Sequence, residues 1–187
     1  MSNKHKVEHT AEKLGTDKLA KSDVPKVPVE VIADIPVLTS VKPVVAAADK
    51  YLQGYTLLVE TGKAVKLSPK TQNHVFYQVA TNDDDGSLHL RLSGNEGGGL
   101  HSKEWLSVQA IVAVLDSVAS QPIKSTVLKS VFKGGSANNV AFLAAVLRGP
   151  EIGLLAQSDK SVFIHQLSAD YAERKGALLK LANIPAQ

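Results

Sequence analysis

Three groups of residues in this chain have the types that bind phosphates or metals, and their spacing decides whether they do. The first is the run Gly94-Asn95-Glu96-Gly97-Gly98-Gly99-Leu100-His101-Ser102. Ahead of a helix, such a run can turn backbone N–H groups toward an anion. A mononucleotide loop, however, needs lysine and then Ser or Thr directly after its last glycine, and a dinucleotide fingerprint needs G-x-G-x-x-G after a strand of a βαβ unit. Lys103 lies too far along, and the preceding strands read as a hairpin, so the run is expected to be a flexible joint. The second group is Asp83, Asp84 and Asp85 before Gly86. A calcium loop wants carboxylates at alternate positions and a glutamate at the twelfth. Counting from Asp83, the twelfth residue is Gly94, which leaves a charged, solvated hairpin tip. The third is the set of six histidines. His5 and His9 stand four apart without a third ligand of obvious position. His74 and His89 are expected as cross-strand neighbours on a polar face, a two-histidine patch at most. His101 and His165 are given structural roles. Among the serines there is no G-x-S-x-G elbow, and Asp170 and Glu173 fall on an exposed helical turn. No catalytic residue, metal site or cofactor is expected, and the reading is non-enzymatic.

Composition sets the frame for the elements that would carry any site. The chain has 187 residues, 44% of them hydrophobic, which is enough for a real core beside a tail. A formal charge of +3 permits a polyanionic partner without requiring one. With no cysteine, thiol chemistry and cysteine-ligated zinc are excluded. The first residues mix both charge signs without an apolar leader, and no run reaches membrane-spanning length. A soluble, intracellular (cytoplasmic) chain is expected.

The pattern along the chain predicts an α+β fold, mostly helical, with two β-hairpins. Residues 1–35 read as a flexible tail in which Pro25 and Pro28 favour extended backbone. Residues 36–95 read as a helix plus a hairpin. The helix rests on Val44, Ala47, Ala48, Tyr51, Leu52, Tyr55, Leu58 and Val59 at three- and four-residue steps, with Gly62 as its stop. The hairpin rests on Val75, Tyr77 and Val79, a turn at Asp85-Gly86, then Leu88, Leu90 and Leu92. Residues 96–187 are expected to begin with a helix capped by Ser102, which buries Trp105, Val108, Ile111, Val112 and Leu115. Pro122 ends it and opens a second helix that packs Ile123, Val127, Leu128, Val131 and Phe132 inward and turns Lys124, Lys129 and Lys133 outward. After Gly134 and Gly135, Ser136 caps a third helix, which Gly149 and Pro150 stop at Arg148. Val140, Phe142, Leu143, Val146 and Leu147 cover most of its circumference, so its body is expected to be buried. A hairpin over 152–167 turns at Ser158-Asp159-Lys160, and a short helix closes the chain.

The succession helix, helix, tight turn, helix, hairpin over residues 102–167 resembles the winged-helix branch of the helix-turn-helix superfamily. The resemblance is one of architecture and covers about a third of the chain. It implies a C-terminal winged-helix-like module whose third helix meets double-stranded DNA and whose hairpin touches neighbouring phosphates. Carried over by position, Ser136, Asn138 and Asn139 face the bases, where an asparagine can pair with adenine. Lys124, Lys129, Lys133 and Arg148 hold phosphates, and Lys160 sits at the wing tip. The expected function is that of a small nucleic-acid-binding regulator or accessory factor, with the N-terminal helix and hairpin supporting a homo-oligomer. The alternative is a structural or adaptor protein, such as a phage-type assembly component, acting through protein interfaces.

Overall fold

The computed structural model describes residues 50–119 and 121–183. The expected tail and the first part of the expected N-terminal helix lie outside the described residues. Four strands form an antiparallel sheet in the order β1-β2-β3-β4, namely Tyr55–Val65, His74–Asn82, Leu88–Asn95 and Leu106–Ser107. A second sheet has the order β5-β7-β6, with β5 at Ile123–Lys124, β6 at Leu155–Ser158 and β7 at Ser161–Leu167. Between them run α1 (Val108–Ser117), a 3-10 helix (Ser125–Val131) and α2 (Asn138–Arg148). The chain ends in α3 (Tyr171–Lys180) and a short 3-10 turn. Of the described residues, strands make up 33% and helices 30%, so the expectation of a mostly helical α+β fold is corrected to a strand-rich one.

The largest source of that correction is β1. Tyr55, Leu58 and Val59 satisfy a helical spacing, yet Gly54 takes φ +78° and breaks any helix before Tyr55. The β-branched and aromatic residues that follow then pair with β2, Tyr55 opposite Asn82 and Ala64 opposite Val75. Gly62 is not a helix stop. It lies in β1 opposite Tyr77, and a Cβ there would overlap the Tyr77 ring. Burying the large Tyr77 side chain under the sheet therefore requires glycine across from it.

Further along, two expected helices are shortened by strands. Residues 101–105 are irregular, and Leu106–Ser107 pair with β3 before α1 begins. The Ser107 side chain caps α1 by accepting from the Ala110 N–H, so Ser102 is not the cap. Ile123 and Lys124 pair with His165 and Ile164 of β7, which leaves only a 3-10 helix where the second helix was expected. The two hairpins stand where the alternation places them. Val75, Tyr77 and Val79 of β2 and Leu88, Leu90 and Leu92 of β3 are all buried.

A single cluster of buried residues draws on both sides of Asn95. It joins Ala64, Val75, Tyr77 and Leu90 of the first sheet to Ile111 and Leu115 of α1, Leu143 and Leu147 of α2, and Leu154. α2 is the hub, since it packs against β1, β2, the 3-10 helix and β6. Among the described residues, no helix is long and apolar enough to cross a membrane.

Candidate nucleic-acid interface

The lysines named from the sequence lie at the surface, each for a local reason. Lys124 is on the open face of β5, because its neighbour Ile123 takes the buried face opposite His165. Lys129 stands in the last turn of the 3-10 helix, where the free carbonyl ends favour a cation. Lys133 follows that helix, and its backbone N–H donates to the Glu104 carboxylate at 3.2 Å. Lys160 occupies the turn between β6 and β7, where its N–H donates to the Ser158 hydroxyl. All four side chains are exposed, and none forms an ion pair among the described residues.

The residues expected to face bases are placed differently. Asn139 is only 2% exposed. Its Oδ1 accepts from the Ser102 N–H at 2.9 Å, and its Nδ2 donates to the Gly134 carbonyl at 3.3 Å. The amide therefore ties the glycine turn to the segment before β4, and it is not presented to a partner. Ser136 is half-buried and accepts from the Asn138 N–H. Asn138 is exposed, with Nδ2 donating to the Leu100 carbonyl at 3.4 Å. Beyond this turn α2 has no free face, because Phe142 through Leu147 are all buried. The apolar stripe seen in the sequence is thus covered by β1 and β2 on one side and by the 3-10 helix and β6 on the other.

Arg148 also departs from the lysine surface. It is half-buried, and its guanidinium donates to the Val162 carbonyl at 2.8 Å and to Gln157 Oε1 at 2.6 Å. Burial lowers its pKa. Close by, His165 is fully buried, its Nε2 2.9 Å from the Ser125 hydroxyl. Burial first, and then the charge of Arg148, depress its pKa to about 4. The ring is therefore neutral at pH 7 and shares a hydrogen bond with the Ser125 hydroxyl. Its Nδ1 has no partner among the described residues.

The ion-binding candidates resolve through their own hydrogen bonds. Asp85 accepts from the Ser87 N–H and hydroxyl, and Asp83 accepts from Thr56. The hairpin tip is thus held by its own turn and by β1. His74 pairs with Glu96 at 2.9 Å, whereas His89 stands opposite Ala80. The expected cross-strand pair of His74 and His89 is corrected by this register. Among the described residues, no three His, Asp or Glu side chains gather as a metal site would require.

One cluster had no distinct signal in the sequence. Tyr55 stacks on Trp105 with ring centroids 4.6 Å apart. The Arg91 guanidinium lies 5.1 Å from the Trp105 ring and 5.6 Å from that of Tyr51, and its Nε donates to Gln78. These contacts draw Arg91, only 3% exposed, into a cation–π stack on the outer side of the first sheet. Arg91 alternates with buried leucines in β3, and only the sheet register shows that its polar face has a roof of aromatic rings. Compared with protein-family models, with curated proteins and with solved structures, the chain matches none.

Proposed function

We propose that the protein binds nucleic acid through backbone phosphates, using the exposed lysines of its C-terminal half and not the body of α2. One observation carries this reading. Residues 118–169 hold five cationic side chains, Lys124, Lys129, Lys133, Arg148 and Lys160, against two carboxylates, Glu151 and Asp159. The four lysines are exposed and without ion pairs among the described residues. Such lysines lose little hydration on meeting a phosphate, and they release the counterions condensed on the nucleic acid. The reading is further supported by connectivity. α1, β5, the 3-10 helix, α2, β6 and β7 follow one another, and β5 pairs with β7, an order compatible with a winged-helix-like module. With Asn139 committed to the fold, the binding is expected to favour phosphates over particular bases.

The test is fluorescence anisotropy of a labelled duplex with the full chain over a salt series. Affinity is expected to fall with salt, with a log-log slope of about −3 to −4 for three or four phosphate contacts. Changing Lys124, Lys129 and Lys133 together to Glu should abolish binding, while base changes in the duplex should have little effect. Absence of binding at low salt, or binding that survives the triple change, would refute the proposal.

A further inference from the structure

A cleft of about 350 Å3 lies between the β1–β2 loop and the C-terminal end of α2. Lys66, Ser68, Thr71 and Gln72 line one side of it, and Arg148 and Gln157 line the other. No Asp or Glu belongs to its described lining. None of Lys124, Lys129, Lys133 or Lys160 reaches it, so the cleft is separate from the lysine surface.

The charge in this cleft is uncompensated. Arg148 gives two of its five N–H donors to neutral oxygens, those of Val162 and Gln157. Among the described residues no carboxylate pairs with it. Lys66 Nζ likewise meets no carboxylate, bonding to Asn95 Oδ1 at 2.9 Å and to the Glu96 carbonyl and lying 5.0 Å from the Phe142 ring centroid. A half-buried guanidinium without a counter-charge pays a desolvation cost, as the lowered pKa of Arg148 reflects. An anion in the cleft would offset that cost and accept the unspent guanidinium N–H groups as charge-assisted hydrogen bonds. The hydroxyls of Ser68 and Thr71 and the amide of Gln72 add neutral donors along the opposite wall. A guanidinium with unused donors, several neutral donors and a nearby ammonium suit a multivalent tetrahedral oxyanion better than a lone carboxylate. The volume lies near the lower end for small-molecule sites.

We infer that this cleft binds a small phosphate-bearing molecule, with Arg148 as its principal anchor. Val162 and Gln157 hold the guanidinium in place, and Lys66 adds long-range attraction.

The experiment titrates inorganic phosphate into the full chain at constant ionic strength, followed by amide NMR shifts and by thermal unfolding. Saturable shifts centred on residues 66–72 and 145–157 are expected, together with a rising midpoint of unfolding. Arg148→Gln should weaken binding by about tenfold or more through loss of charge-assisted bonds. Because Arg148 also braces the β6–β7 hairpin, exposed Gln72 supplies a second, sign-sensitive test. Gln72→Glu should weaken binding about fivefold, and Gln72→Lys should strengthen it. Acetate at equal ionic strength should bind more weakly than phosphate. The inference is overturned if phosphate produces no saturable change at millimolar concentration, if chloride or acetate reproduces its effect, or if both Gln72 variants bind like the parent.

Discussion

His165 illustrates how a single side chain links packing to solution behaviour. Its imidazole is fully buried, neutral at pH 7 and bonded to the Ser125 hydroxyl, with its pKa held near 4. In the unfolded chain the same ring takes up a proton below about pH 6.5. Between those two values the unfolded state binds more protons than the folded one, so stability rises with pH across the window. The contribution is complete above about pH 6.5 and is lost as pH falls toward 4, to a limit of about 3 kcal/mol. Urea unfolding at pH 4.5 and pH 7, both values inside or above this window, should show a smaller pH difference in His165→Gln than in the parent. An equal difference would mean that the buried ring does not titrate as described. Changing Arg148 to Gln, where the variant folds, should move the His165 pKa upward, because the neighbouring charge is one cause of its depression. Residue identity revealed the polar turn at Ser136–Asn139 and the lysines around it, but it did not reveal their surroundings. Asn139 looked available because asparagine suits base edges. It is occupied because Ser102, 37 residues away, brings a free N–H to its Oδ1, while the nearby Gly134 carbonyl accepts from its Nδ2.

Among the elements, β1 is where local pattern and outcome part most clearly. Its apolar residues fit three- and four-residue steps, but Gly54 adopts a left-handed conformation and β2 offers an open edge. As the edge strand of its sheet, β1 then pairs the backbone groups that face β2 and adds cross-strand packing. Gly62 separates the two conformations experimentally. In a helix, Gly62→Ala would stabilise the protein by up to about 1 kcal/mol. In β1 the new methyl meets the Tyr77 ring, whose hydroxyl is anchored on Glu151, so the ring cannot simply swing away. A loss of about 1–3 kcal/mol is expected by denaturant titration. Stabilisation would contradict the strand register. The β2–β3 hairpin was legible because its alternation is strict and Gly86 turns at φ +68°. The two-residue strands β4 and β5 were not, because two residues carry no period.

At the scale of the whole described body, the two sheets and three α-helices share one core, with α2 at its centre. Leu143 is fully buried there, so Leu143→Ala should cost about 2–5 kcal/mol. The loss should appear equally in Trp105 fluorescence, which reports on the first sheet, and in the circular dichroism of the helices. Separate transitions would mean that residues before and after Asn95 unfold independently. The sequence by itself determined the composition of this core, the hairpin faces, the apolar character of α2 and the surplus of lysines in the C-terminal half. These depend on side-chain type and short-range period, which the chain carries locally. Only the tertiary structure decided that the first sheet closes over α2, that Asn139 is spent on the fold, and that Arg148 lines a cleft without a counter-charge. Each of those depends on partners many residues away, and an apolar or polar side chain bears no mark of which distant surface will cover it.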